Sequence, residues 1–171
     1  QTPDGGWGWF KGMYPSQEIT LYILKGMSQL TELNAVEYNQ QEKEMQMKAL
    51  KFVDKQIQSD YEALQKIKNW QKNEISPLEI EYLFVRSNYR DIPELGSARE
   101  AIRYYTNLAE KQWDKQSIHG KGEIAWLMWR NGNKEIAGKI ITWLRKTASI
   151  SPDKGMYWAN NRSRANAFAS P

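Results

Sequence analysis

With 171 residues the chain is the size of one ordinary domain, long enough for folding to remove about 70% of the unfolded surface from water. Hydrophobic residues make up 40%, charged residues 26% and aromatics 12%, with eight Trp, a composition that excludes disorder and low complexity. The 24 Lys and Arg are interleaved with 20 Asp and Glu, so the net +4 describes solvated helix faces and gives nucleic-acid binding little support, while the absence of Cys excludes disulfides, thiolate metal sites and a cysteine nucleophile.

The first segment, Asp4-Gly5-Gly6-Trp7-Gly8-Trp9, predicts a packed non-helical corner. Ser16 after Pro15 then starts a helix over 16–33, whose Ile19, Tyr22, Ile23, Met27 and Leu30 recur at helical spacing. A cap residue followed three positions later by Glu satisfies helix N-terminal amides from both directions, and Asn34 with Glu37 predicts such a start for a second helix over 35–58, exposed early and buried late. Ser59 with Glu62 predicts a third over 60–72. Ser76-Pro77-Leu78-Glu79 opens a fourth over 77–88, with Pro at the first helical position. Ser97 with Glu100 opens a fifth over 98–115. A sixth, over 121–131, closes at Asn131-Gly132, and Asn133 opens the seventh over 134–149, with Ile136, Ile140, Trp143 and Leu144 as its apolar stripe. Strand signals are nearly absent. Asp153-Lys154-Gly155-Met156-Tyr157-Trp158 resembles the opening segment and leads to Ser170-Pro171, which reads as the start of a further helix.

Two like turns bracketing about three helical hairpins predict an all-α fold: one helical domain over 1–171, forming part of an αα-hairpin toroid. Because the chain begins at Gln1 inside a Gly/Trp run, it is expected to be a piece of a longer protein. No apolar run approaches the ~20 residues that cross a bilayer, and the N-terminus lacks the layout of a signal peptide. Arg162 and Arg164 are the one locally basic stretch, too short for a patch.

Few residues suggest chemistry. Trp7, Trp9, Tyr157 and Trp158 could line a groove for a sugar or peptide, or lock adjacent hairpins by packing; glycines so close to a capped helix favour packing. A phosphate loop is not expected, since no strand precedes the glycines and no Lys-Ser/Thr comes after them. His119 is the only histidine, in a flexible connection over 117–122, and a lone histidine cannot build a typical zinc site or, without an orienting carboxylate and a nucleophile, a general base. Trp126, Met128 and Trp129 lie on a helix that is apolar nearly all round and is expected to be buried. Tyr82, Phe84, Tyr89, Tyr104, Tyr105 and Trp113 recur with helical periodicity and read as core. No catalytic residue, cofactor or metal site is expected.

The run Asp4-Gly5-Gly6-Trp7-Gly8-Trp9-Phe10, with Ser16 and Ile19-Thr20-Leu21-Tyr22-Ile23-Leu24 after it, resembles the Gly/Trp turn that enters a thioester-domain helix in bacterial alpha-2-macroglobulin-like proteins. Tyr82-Leu83-Phe84-Val85-Arg86-Ser87-Asn88-Tyr89, Gly122-Glu123-Ile124-Ala125 with Asn131-Gly132, and Gly155-Met156-Tyr157-Trp158 are similar to the downstream segments of long Bacteroidetes-type members, so the resemblance covers almost the whole chain. It implies a helical domain of a periplasmic or envelope-anchored protease trap, whose partners are the other domains of its parent chain and the proteases that the parent captures. In that family a Cys-Gly-Glu-Gln thioester carries the chemistry; with no Cys, no residue here can inherit it. Gln1 to Trp7 also fits the Gln-x-x-x-Gly-x-Trp repeat of triterpene cyclases, but only once and without the acidic proton-donor motif. A glycan-binding or polysaccharide-lyase-like αα-toroid is the alternative, with Trp7, Trp9, Tyr157 and Trp158 stacking on sugar rings. Neither membrane nor nucleic-acid contact is expected.

Overall fold

A computed structural model describes residues 1–159. The expectations for Arg162, Arg164 and Ser170-Pro171 lie outside these described residues. The described chain is mostly helical (65%), with six α-helices and one two-stranded sheet. None of its helices is long and apolar enough to cross a membrane. The chain divides into two compact units, Gln1–Leu108 and a second beginning at Ala109.

In the first unit α1 (Gln17–Glu32) packs on α2 (Gln40–Gln65) and on α3 (Pro77–Ser87). Ser16 caps α1 by accepting the Ile19 amide. The Asn34–Glu37 start is not formed: Asn34 adopts a left-handed conformation (φ 52°), and the bonds Asn34 N to Thr31 O and Ala35 N to Leu30 O make it the terminator of α1. The second helix begins later, where Asn39 accepts the Glu42 amide and the Glu42 carboxylate accepts the Asn39 amide. No break occurs at Ser59 either. Residues 40–65 contain neither Gly nor Pro, and the stripe Leu50, Val53, Ile57, Tyr61 continues through Ser59, so one 26-residue helix stands where two were expected. A Ser-x-x-Glu pattern fits a helix interior as well as a start, which is why the expected seven helices are six. Beyond α2 the chain turns at left-handed Asn69 into a single 3₁₀ turn, Trp70–Lys72. The box at Ser76 and Glu79 forms as expected, with Pro77 leading α3. α4 (Arg99–Gln112) is entered through a 3₁₀ turn, Gly96–Ala98. Glu100 accepts from the Tyr61 hydroxyl at 3.3 Å, joining a cluster in which the rings of Tyr61, Trp70 and Tyr104 lie 5.1 to 5.9 Å apart.

The core of this unit, Leu21, Leu24, Leu50, Val53, Ile57, Tyr82 and Val85 among others, contains a charge. Asp54 and Arg86, 1% and 5% exposed, form an ion pair at 3.1 Å. Asp54 Oδ1 also accepts from the Tyr82 hydroxyl at 2.8 Å, and Oδ2 accepts the Leu95 amide at 3.0 Å. Arg86 uses its remaining donors on the carbonyls of Tyr89 (3.1 Å) and Ile92 (3.0 Å). Burial first, and the Asp54 charge second, hold the Tyr82 hydroxyl well above its ordinary pKa, so it remains a donor.

In the second unit α5 (Ile118–Arg130) and α6 (Lys134–Thr147) form a hairpin across Gly132 (φ 83°) and bury Ile124, Met128, Ala137, Ile140 and Leu144. α5 starts three residues earlier than expected because Ser117 caps it, accepting the Gly120 amide. Trp129 is 54% exposed, so the nearly all-apolar helix is not buried all round; its indole sits against Trp126, at 5.6 Å between rings, on the outer face. Lys121 is buried, with Nζ donating to the carbonyls of Asp114 and Gln116 and lying 4.6 Å from the Trp143 ring centre. Burial lowers its pKa, although Asp114 acts in the opposite sense. α6 ends two residues short of the expectation, because Ser149–Ser151 (β1) pairs antiparallel with Gly155–Tyr157 (β2). Two three-residue strands are too short to leave an alternation pattern in the sequence.

Removing one partner of a buried ion pair leaves the other charge uncompensated, so Asp54→Ala is expected to cost about 3–5 kcal/mol. Urea denaturation of the variant beside the wild type measures it.

Candidate interaction surfaces

The Gly/Trp corner is held by backbone. Thr2 N donates to Gly6 O (2.8 Å), Gly5 N to Thr2 O (3.0 Å) and Ser16 N to Trp7 O (2.8 Å), while the Trp7 amide donates to Thr20 Oγ1 at 2.9 Å. Gly5 and Gly6 are buried. Gly5 has φ 96° and its missing Cβ would strike the Lys48 carbonyl; a Cβ on Gly6 would lie 2.6 Å from Pro15 Cβ and 2.9 Å from the Phe52 ring. The glycines, not the indoles, therefore pack the corner on α2. Trp7 is half-buried, but Trp9 is 63% exposed, which corrects the expectation that both indoles serve packing. Beyond the corner Phe10, Met13 and Tyr14 also face outward, Tyr14 at 95% exposure. One short loop thus presents four large apolar side chains.

Tyr157 and Trp158 belong to the second unit, and both are half-buried. Trp158 Nε1 donates to the Leu144 carbonyl at 3.0 Å, clipping the end of the hairpin to the end of α6. His119 lies in the first turn of α5, not in a flexible connection, with Nε2 3.1 Å from the Glu123 carboxylate one turn on. Its side chain is exposed while that of Glu123 is buried, an arrangement that braces the helix start. Among the described residues no group of three His, Asp or Glu side chains is placed to hold a metal ion.

Sequence reasoning misses a groove of about 640 Å³ in the first unit. The C-terminal turns of α1 contribute Ser28, Thr31 and Glu32, and the α1–α2 connection contributes Val36, Glu37 and Tyr38. α2 adds Lys43, Gln46 and Met47; the turn after α3 adds Asn88, Tyr89, Asp91 and Ile92. Its tyrosines are fixed from behind, the Tyr89 hydroxyl donating to Leu24 O at 2.7 Å and that of Tyr38 to Met27 O at 3.3 Å. Burial raises the pKa of both, helped at Tyr38 by the Glu42 charge. Asn88 Nδ2 donates to Ser28 Oγ at 3.2 Å, tying α3 to α1 beneath the opening. Gln46 differs from these. It is 7% exposed, and its Nε2 is buried without a hydrogen-bond partner, a state that costs about 1–3 kcal/mol when nothing meets the donor. The one signal in the sequence is a Gln on the same face of α2 as Ala49, Leu50 and Val53.

In comparisons with known proteins the chain matches no family model, and no curated protein or solved structure is significantly similar to it.

The geometry of the corner separates two substitutions. Gly6→Ala overpacks the contact with Pro15 and Phe52 and is expected to cost about 1–3 kcal/mol. Trp9→Ala touches an exposed side chain and is expected to stay within about 0.5 kcal/mol of wild type. Chemical denaturation midpoints of the two variants give the comparison.

Proposed function

We propose that the chain is a non-catalytic helical domain of a macroglobulin-like protease-trapping protein of the bacterial envelope, contributing hairpins to an αα-toroid and using its exposed apolar loop to dock against the rest of the parent chain. The loop itself carries this reading. Trp9, Phe10, Met13 and Tyr14 project from a corner whose backbone is bonded and whose glycines are wedged on α2, so the exposed side chains stand on a rigid base. Clustered exposed apolar side chains mark surfaces that meet a partner. The resemblance of the Gly/Trp run and of the Tyr82-to-Tyr89 and Gly155-to-Trp158 segments supplies the family. In this role the chain works as a structural and contact element, needs no cofactor, and meets proteases only as part of its parent.

A glycan-binding reading has one observation in its favour, the open face of Trp9. Against it, Trp7, Tyr157 and Trp158 are half-buried, and Trp158 spends its N–H on the Leu144 carbonyl.

The test replaces Trp9, Phe10 and Tyr14 together by Ser. The isolated variant is expected to keep its helical circular dichroism, and neither it nor the wild type is expected to be retained on polysaccharide. In the parent protein the same change is expected to loosen the domain, seen as faster limited proteolysis, and to lower protease capture. Retention of the wild-type chain on a polysaccharide column that disappears with Trp9→Ala would favour the glycan reading instead.

A further inference from the structure

The groove between the end of α1, the α1–α2 connection and the turn after α3 has a feature that its own residues do not satisfy: Gln46, one of its lining residues, keeps a buried Nε2 that donates to nothing. We infer that this groove binds a peptide segment carrying a basic side chain, with a main-chain carbonyl of the peptide accepting from Gln46 and the Lys or Arg side chain lying against Glu37 and Asp91.

Three observations select that ligand. A buried donor calls for an acceptor oxygen from outside, and a peptide carbonyl supplies one in a form that can enter a site flanked by apolar Val36, Met47 and Ile92. The charged lining is three carboxylates and one ammonium, which disfavours phosphate, nucleic acid or an acidic peptide and favours a cation. A sugar lacks its usual platform, because Tyr89 is buried and Tyr38 half-buried, and both hydroxyls are already donating to backbone carbonyls. The volume of about 640 Å³ lies within the roughly 300–1,000 Å³ typical of ligand sites, enough for a few residues of a peptide. This site is separate from the Trp9 loop and does not depend on the family assignment.

Fluorescence anisotropy tests it with the 171-residue chain and three labelled probes: a heptapeptide pool with Lys or Arg at its centre, a matched pool with Asp or Glu there, and maltohexaose. The basic pool is expected to bind best. Gln46→Leu, which removes the donor and keeps the bulk, and Glu37→Lys, on the exposed rim, are each expected to weaken that binding about tenfold or more. Because Gln46→Leu deletes an unmet donor, its urea midpoint is expected to equal or exceed that of wild type; should that variant not fold, Glu37→Lys carries the test alone. The inference is overturned if no peptide pool binds, if the acidic pool or maltohexaose binds as well as the basic pool, or if folded variants bind as wild type does.

Discussion

The first unit depends on one buried carboxylate. Asp54 sits in the apolar stripe of α2 and is met by Arg86 and Tyr82 of α3 and by the amide of Leu95, so its two oxygens bind a neighbouring helix and the connection beyond it. Withdrawing two charges from water is costly, and a buried pair is worth having only when every remaining donor and acceptor is met. Here Arg86 completes the set on the carbonyls of Tyr89 and Ile92. The pair therefore does more than join α2 to α3: it fixes the course of residues 88–95, which have no helix or strand of their own before Gly96.

That connection is a wall of the groove. Tyr89, Asp91 and Ile92 line it, and the Tyr89 hydroxyl reaches Leu24 of α1, so all three helices are referred to the same irregular segment. A site with one wall made of loop needs that loop held, and the ion pair holds it through the Tyr89 and Ile92 carbonyls and the Leu95 amide. The Gly/Trp corner obeys a parallel logic on another face. Gly5 and Gly6 press against α2 where no side chain fits, and the large apolar residues after them are left outward on a hydrogen-bonded corner. Local rigidity beneath exposed or unmet groups is the common theme.

Much of this fold is legible in the sequence because helix starts and stops are local chemistry. Ser16, the Ser76–Glu79 box, Asn133 and Asn131-Gly132 are each recognisable from a few adjacent residues, and each acts where those residues lie. The failures are also physical. Asn34 has the pattern of a start, yet its tolerance of the left-handed region makes it a stop, and Ser59 has the pattern of a break, yet an uninterrupted apolar stripe carries the helix past it. The close spacing of Gly and Trp before a capped helix assigns Trp9 to packing, although glycine contacts fill that role. The Asp54–Arg86 pair leaves a trace, since Asp54 falls one turn from Leu50 and three residues before Ile57 on the buried face. The groove leaves only Gln46 on the apolar face of α2: it is assembled from residues about 60 positions apart, such as Ser28 and Asn88, and only the packed helices bring them together.

That the buried pair orders the connection at 88–95 is tested most directly by amide hydrogen exchange at Leu95, whose N–H donates to Asp54 Oδ2. In the wild type this amide is expected to exchange as slowly as the core of α2, and in Asp54→Asn, under conditions where helical circular dichroism persists, the amides of Tyr89, Ile92 and Leu95 are expected to lose protection while those of α5 and α6 keep theirs. A Leu95 amide that exchanges in the wild type at the rate of an open loop, or that is unaffected by the substitution, would contradict it.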